Sequence, residues 1–230
     1  MHRILRYAIL IASMIMSTNA EAGNQYENEI RAFEAADRES PPPSNAVLFV
    51  GSSTIRLWTS AQRDFPDVVL LNRGFGGASV PDVLHFMDRI VIPYRPRLIV
   101  FYGGDNDLAL GRTPEQVTRD IREFVSRAQD QLPGVEIVLL CLKPSPQRWS
   151  LADKAKAVNA DLRALAAKNP NLKYVDVFTP MLGKDGLPRP EFYVEDGLHL
   201  SPAGYKLWRG ILRPYLRKNP QGRQPGKDQP

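Results

Sequence analysis

Residues 46–54 read AVLFVGSST, an apolar run that ends in a turn of glycine, serine and threonine. Four more apolar runs rich in β-branched and aromatic residues follow, at residues 68–71, 98–102, 135–142 and 172–178. The first of the five runs covers residues 46–50, and none of them alternates strictly between apolar and polar side chains. Unbroken runs are typical of strands that are buried on both faces of a sheet. The sequence therefore predicts five such strands.

Stretches with helical spacing lie between these runs. Their apolar faces are formed by Val83, Phe86, Met87 and Ile90, by Val117, Ile121, Phe124, Val125 and Ala128, by Ala155, Val158, Leu162 and Leu165, and by Tyr205, Leu207, Trp208, Ile211 and Leu212. Thr113-Pro114-Glu115 and Ser201-Pro202 are helix-start signals. Strands that alternate with helices predict an α/β domain with a parallel sheet, and no linker divides residues 45–218.

Residues 1–22 have the pattern of a signal peptide. Arg3 and Arg6 precede an apolar run at residues 7–16, and Ala20-Glu21-Ala22 fits a cleavage site. An uncleaved membrane anchor is the alternative, although the run is shorter than the ~20 residues that span a bilayer. We expect a secreted or periplasmic protein without stable membrane insertion after signal removal.

The two ends of the remaining chain differ from the predicted domain. Residues 23–44 predict an N-terminal helix at about 28–38 and a proline-rich linker at Pro41–Pro43. Residues 219–230 contain no large apolar residue, and such a segment is expected to be disordered.

Composition excludes several classes of protein. The chain has 230 residues, 43% hydrophobic and 24% charged, which is the balance of a globular protein. Its net charge of +5 is not gathered into a basic block, so nucleic-acid binding is not expected. A single cysteine, Cys141, excludes an internal disulfide framework and a cysteine-rich metal site.

Small and polar residues follow the predicted strands, where the site of an open parallel sheet is expected. The segments are GSST at 51–54, NRGFGG at 72–77, GGDND at 103–107, and DGLH at 196–199 before the last helix. A serine in a tight turn after the first strand is the natural nucleophile. His199 follows Asp196 by three residues, a spacing that lets the carboxylate orient the imidazole. The alternative is that His199 caps the last helix and Asp196 is solvated. His85, inside a helical stretch, is interpreted as a surface or core residue.

Common cofactor motifs are incomplete. Ser79 stands where the dinucleotide fingerprint needs its third glycine, and no phosphate-binding Gly-Lys-Ser/Thr loop occurs. Ala109 and Leu110 interrupt the calcium loop that Asp105-x-Asp107 would begin. No metal or cofactor is therefore expected.

Taken together, the four segments resemble the blocks of the SGNH (GDSL-type) hydrolase family. They match in order at FVGSS (49–53), NRGFGG (72–77), GDND (104–107) and DGLH (196–199). The resemblance implies a flavodoxin-like three-layer α/β/α sandwich with about five parallel strands, and metal-free hydrolysis of esters. It implies that Ser53 is the nucleophile, His199 the general base and Asp196 its orienting acid. The implied oxyanion hole is the backbone N–H groups of Ser53 and Gly77 with the side-chain amide of Asn106.

The serine block departs from the family pattern at one position. The family usually has Gly-Asp-Ser-Leu, whereas this chain has Gly51-Ser52-Ser53-Thr54. The position within the block favours Ser53 over Ser52 as the nucleophile. How the turn is supported without the usual aspartate is left open.

The substrate is less well defined by the sequence. Arg73 either meets an anionic substrate or ties down a loop, and Arg148 and Trp149 either contact substrate or belong to a packed loop. The hypotheses are a lysophospholipase-like or short-chain acyl esterase, and a carbohydrate or peptidoglycan O-acetylesterase. A non-catalytic binding module on the same fold is a further alternative. The expected partner is a small-molecule, glycan or lipid ester.

Overall fold

The structure is a computed structural model that describes residues 25–216 of the chain. The predicted signal peptide at 1–22 and the predicted tail at 219–230 lie outside the described residues. The predicted N-terminal helix is present as α1, Glu27–Glu39. Between residues 25 and 216, none of the helices combines the length and apolar character needed to cross a bilayer.

Five strands form one all-parallel sheet, in the order β2-β1-β3-β4-β5. Their bounds are Val47–Gly51 (β1), Leu70–Gly74 (β2), Leu98–Tyr102 (β3), Glu136–Leu140 (β4) and Leu172–Val175 (β5). Each strand is joined to the next by a crossover that contains at least one helix. The predicted α/β class and the predicted five parallel strands are confirmed.

Two of the longer helices begin where the sequence has capping signals. Ser79 and Thr113 form capping boxes with the residues three positions on, and Pro81 and Pro114 stand in the first turns. The remaining helices are α2 (Ser53–Arg56), α3 (Ala61–Asp64), α4 (Val80–Ile90), α5 (Asp105–Ala109), α6 (Pro114–Gln131), α7 (Ala152–Ala167) and α8 (Pro202–Leu216). The short helices α2, α3 and α5 were not predicted, because four or five residues are too few to show helical periodicity.

Helices cover both faces of the sheet. On one face, Trp208 of α8 packs against Tyr102, with ring centroids 5.2 Å apart. On the other face, Phe124 of α6 packs on Phe101, the preceding residue of β3, at 4.4 Å. Successive strand residues point to opposite faces, so the two contacts define a three-layer α/β/α sandwich.

Several expectations about the strands need correction. Strands β4 and β5 end at Leu140 and Val175, before the ends of the apolar runs 135–142 and 172–178. Strand β2 runs to Gly74 rather than ending at Leu71, because residues 72–74 pair in register with residues 49–51 of β1. Polar and glycine residues predict the end of a strand, but pairing with a neighbouring strand overrides that preference. The outer strands β2 and β5 are also only partly buried, since each has a neighbour on one side alone.

The strand order places a crevice between the loops after β1 and β3. The chain leaves β1 toward β2 on one side and returns through α4 to β3 on the other side of β1. Ligands of doubly wound sheets bind at this topological switch point, outside the carboxyl ends of the strands. The serine block follows β1 and the asparagine block follows β3, so both border this crevice.

Candidate active site

Ser53 lies at the first position of α2, directly after the turn that ends β1. Gly51 has φ of +142°, and a Cβ built on it would lie 1.8 Å from the carbonyl oxygen of Tyr102 in β3. Only glycine permits this approach, and the neighbouring Ser52 N–H donates to the same oxygen at 3.1 Å. The first N–H groups of a helix have no intrahelical acceptor, so the Ser53 N–H is available at the crevice.

Asp196 organises the loop that carries His199. One of its carboxylate oxygens accepts the backbone N–H groups of Leu198, at 2.8 Å, and His199, at 2.9 Å. The other oxygen lies 2.6 Å from Nδ1 of the His199 ring. Partial burial alone would raise the pKa of Asp196, but the hydrogen bonds from His199 and the backbone lower it to about 2. The carboxylate is therefore ionised at neutral pH.

The ring of His199 joins this carboxylate to the serine. Its Nε2 lies 3.0 Å from the Oγ of Ser53. An ionised carboxylate can only accept a hydrogen bond, so in the neutral imidazole the proton resides on Nδ1 and Nε2 is the acceptor. The three side chains thus form one hydrogen-bonded row, in the arrangement that a serine hydrolase uses to activate its nucleophile.

The glycine and asparagine blocks are held against each other. Gly77 has φ of +75°, and the carbonyl oxygen of the next residue, Ala78, accepts from Nδ2 of Asn106 at 3.0 Å. Asp107 accepts the N–H of Val80 at 3.1 Å, at the start of α4. These contacts place the Gly77 turn beside the Asn106 side chain, as an oxyanion hole built from both blocks requires.

Asp107 is fully buried where these two blocks meet. Burial raises its pKa to about 6, although the N–H of Val80 and the guanidinium of Arg112 favour the charged form. Arg112 lies 3.8 Å from the carboxylate. This carboxylate therefore titrates nearer to neutrality than an exposed aspartate does.

The three suggested substrate contacts differ in position. Arg73 is buried, and its guanidinium contacts Asp37 of α1 and the hydroxyl of Tyr94, the latter at 2.8 Å. This geometry supports loop anchoring and argues against the anionic-substrate alternative, because the cation is already paired. Arg148 does reach the site, donating from Nη2 to Oδ1 of Asn106 at 3.0 Å. Trp149 is partly buried and stacks on Phe178 at 6.5 Å, which fits a packed loop.

Several contacts around the candidate site had no recognisable sequence signal. Glu29 of α1 accepts the N–H of Gly76 at 3.4 Å, so the N-terminal helix reaches the glycine block. Lys143 and Asp105 form a buried ion pair at 3.3 Å beside Asn106. The sequence predicted a helix at about 28–38, but it gave no indication of where that helix docks. By contrast, His85 is exposed on α4, as the surface interpretation predicted.

The large cavities do not coincide with this row of side chains. Cavities of about 510 and 570 Å³ lie at the opposite edge of the sheet, both bordered by Asn45 and Arg97, which precede β1 and β3. A cavity of about 20 Å³ lies near the candidate site, bordered by Arg148 and Trp149. A third large cavity, of about 500 Å³, is bordered by Asp176 and Phe178 after β5, and like the other two large ones it is not lined by Ser53, Asp196 or His199. Cavity size therefore does not locate this row of side chains, whereas the chemistry of the strand ends points to the crevice.

A parallel α/β/α sandwich with a serine, a histidine and an aspartate in one row at its switch point defines a serine-hydrolase type of protein. Comparison with known proteins gives the family. Residues 50–207 match the model of the GDSL-like lipase/acylhydrolase family. The chain belongs to this family, and it is an ester-hydrolysing enzyme. The family resemblance inferred from the sequence blocks is confirmed.

Relatives and solved structures agree with this assignment. Platelet-activating factor acetylhydrolase IB subunit alpha1 from Bos taurus is 32% identical over 176 residues, covering 74% of this chain and 73% of the relative. A GDSL-like lipase from Bacteroides thetaiotaomicron superimposes with a TM-score of 0.70 at 21% identity, covering 81% of this chain and 96% of that one. The lipase/acylhydrolase from Enterococcus faecalis gives 0.59 at 20% identity, covering 76% and 98%. At such identities the two structures support the fold alone.

Proposed function

We propose that this protein is a serine esterase that hydrolyses short-chain acyl esters through an acyl-enzyme on Ser53. The observation that carries the proposal is the row of contacts from Ser53 Oγ to His199 Nε2, at 3.0 Å, and from His199 Nδ1 to Asp196, at 2.6 Å. A hydroxyl in direct contact with a correctly oriented imidazole can lose its proton as it attacks a carbonyl carbon.

The reaction proceeds in two steps of the same kind. His199 accepts the proton of Ser53 while Oγ bonds to the ester carbonyl, and it then protonates the departing alcohol. Water attacks the acyl-enzyme with His199 again as the base, and the acid leaves as Ser53 recovers its proton. Asp196 stays ionised throughout, because the hydrogen bonds it accepts keep its pKa at about 2.

The negative oxygen of each tetrahedral intermediate is held by three donors. These are the backbone N–H groups of Ser53 and Gly77 and the Nδ2 of Asn106. Donors fixed before the reaction stabilise the developing charge without reorganising, and each contributes about 10²–10³-fold in kcat. The contact of Asn106 with Ala78 supports this assignment. Ala78 follows Gly77, so the contact holds the Asn106 side chain next to the backbone of Gly77.

One comparison favours an acetyl or other short acyl group. The relative at 32% identity carries the name of an acetylhydrolase. An O-acetylated carbohydrate or peptidoglycan is the second candidate, since export through the segment 1–22 would bring the enzyme to such polymers.

Labelling with a fluorophosphonate tests the nucleophile, and Ser52→Ala is the matched control. The Oγ of Ser52 is buried and has no hydrogen-bond partner among the described residues. We expect the wild type and Ser52→Ala to label and to hydrolyse p-nitrophenyl acetate, whereas Ser53→Ala does neither. Labelling of Ser53→Ala at the wild-type rate would disprove the assignment.

Substrate class and export need separate measurements. Rates across p-nitrophenyl esters from acetate to dodecanoate should be highest for acetate, and a maximum at the long chains would exclude the short-chain proposal. Deacetylation of acetylated xylan or peptidoglycan with a higher kcat/KM than any p-nitrophenyl ester would favour the second candidate. N-terminal sequencing of the mature protein tests export, with Gly23 as the expected first residue.

A further inference from the structure

Arg148 contacts the side chain that we assign as the third oxyanion donor. Its Nη2 donates to Oδ1 of Asn106 at 3.0 Å, and 42 residues separate the two in the chain. On the other side of the amide, Nδ2 of Asn106 donates to the carbonyl oxygen of Ala78 at 3.0 Å. The Asn106 side chain is thus held at both ends by residues from two other loops.

These two contacts admit only one orientation of the amide. If the amide were rotated by 180°, its NH₂ group would face the guanidinium and its oxygen would face a carbonyl oxygen. Both contacts would be repulsive, because the first would bring two donors together and the second would bring two acceptors together. In the observed orientation one hydrogen of Nδ2 is used by Ala78, and the second remains for a ligand.

The guanidinium is itself held in place by a buried ion cluster. Nη1 of Arg148 lies 3.2 Å from the carboxylate of Asp105, the residue before Asn106. Lys143, whose side chain is 1% exposed, lies 3.3 Å from the same carboxylate and 3.4 Å from the hydroxyl of Tyr102. Burial would raise the pKa of Asp105, but the two cations lower it, so the carboxylate remains charged.

We infer that Arg148 is a positioning residue for the reaction, which acts by holding the Asn106 amide with one Nδ2 hydrogen directed at the oxyanion. A charge-assisted hydrogen bond to Oδ1 also polarises the amide and strengthens its N–H as a donor. This role rests on the proposed function of Asn106. It differs from a direct contact with substrate, in which Arg148 would act independently of Asn106.

A double-mutant cycle with p-nitrophenyl acetate separates these roles. Asn106→Ala alone should lower kcat by about 10²–10³-fold. Arg148→Met alone should lower kcat by about 10–100-fold, the effect of one charge-assisted hydrogen bond, with KM changed less than about threefold. In the Asn106→Ala background, Arg148→Met should cause no further loss beyond about twofold, because the donor that it positions is absent.

Controls address loss of folding. Arg127 provides the matched control for replacing an arginine by methionine. Like Arg148, it donates to an oxygen acceptor and contacts a carboxylate, namely the carbonyl oxygen of Leu84 at 3.0 Å and Asp88 at 3.2 Å, but it lies away from the site. Arg127→Met should keep the wild-type kcat. If Arg148→Met does not fold, Arg148→Lys takes its place, since lysine can reach Oδ1 or Asp105 but lacks the fork that reaches both. Its kcat should lie between those of the wild type and Asn106→Ala.

Each other outcome overturns a distinct claim. If Arg148→Met lowered kcat by the same factor in the wild type and in Asn106→Ala, Arg148 would act independently of Asn106. The positioning role would then be wrong, but the assignment of Asn106 to the oxyanion hole would be unaffected. A rise in KM in both backgrounds would identify a substrate contact instead. A wild-type kcat for Asn106→Ala would reject both the positioning role and the assigned third donor.

Discussion

The Oγ of Ser53 and the Nε2 of His199 lie 3.0 Å apart, although 146 residues separate them in the chain. A second contact fixes the elements that carry them. Tyr205 of α8 donates its buried hydroxyl to the carbonyl oxygen of Thr54, the residue after the serine, at 3.0 Å. The start of α8 and the segment after β1 are therefore tied together independently of the hydrogen bond between Ser53 and His199.

Replacing Asp196 by asparagine tests whether the carboxylate orients the imidazole. Asp196→Asn keeps the size of the side chain but can donate to Nδ1, which favours the tautomer with the proton on Nε2. We expect kcat to fall by about 10³–10⁴-fold with little change in melting temperature. Asp185→Asn is the control, since Asp185 also accepts a backbone N–H two residues on but lies in another loop. Equal activity of the two variants would contradict the role of Asp196.

Gly77→Ala tests the backbone donor of the proposed oxyanion hole, and Gly134→Ala is its control. Both glycines have positive φ, +75° and +81°, and a Cβ on either meets nothing closer than 3.6 Å. Each alanine should therefore cost about 1–2 kcal/mol in the free energy of unfolding through backbone strain alone. Only Gly77→Ala should lower kcat as well, because strain there turns an N–H that must point at the oxyanion, whereas Gly134 precedes β4 at the opposite edge of the sheet. Loss of kcat in both variants would mean that strain, rather than position, is responsible.

Arg73→Met should impair stability rather than substrate binding. The substitution leaves the partly buried carboxylate of Asp37 without the buried guanidinium that pairs with it. Breaking such a pair costs about 3 kcal/mol in the free energy of unfolding, which urea denaturation can measure. The KM values for neutral and anionic esters should stay at the wild-type level under conditions where the variant is folded. A selective rise in KM for anionic esters would restore Arg73 as a substrate contact.

Asp107 predicts a specific dependence of stability on pH. Burial raises its pKa to about 6 in the folded protein, compared with about 3.9 in an unfolded chain. Between these values the folded state binds more protons, so the contribution to stability is fully present below about pH 4 and is lost as the pH rises through about 6.

Asp107→Asn removes this titration and provides the comparison. The free energy of unfolding of the wild type minus that of Asp107→Asn should fall by up to about 3 kcal/mol between pH 4 and pH 7. Urea unfolding at several pH values measures this difference, and groups unaffected by the substitution cancel in it. A difference that rises with pH would mean that the contact with Arg112 outweighs burial and that the assigned direction of the pKa shift is wrong.

The sequence by itself determined the fold class and the residues that could carry the chemistry. Apolar runs such as 98–102 predict strands because burial on both faces demands them, and β3 has those bounds. Helix starts such as Thr113-Pro114 are local signals, and α6 begins there. The order of the four blocks identified the family and named Ser53, Asp196 and His199 as candidates.

Contacts between distant segments were decided by the tertiary structure alone. No local signal predicts the extension of β2 through Asn72, the contact of Arg73 with α1, or the hydrogen bond from Arg148 to Asn106. Each depends on where the loops at the sheet edges come to lie after the helices have packed. Local preferences act over a few residues, whereas a hydrogen bond across 42 or 146 residues needs positions accurate to a few tenths of an ångström. Only the packed sheet and its covering helices set positions with that accuracy.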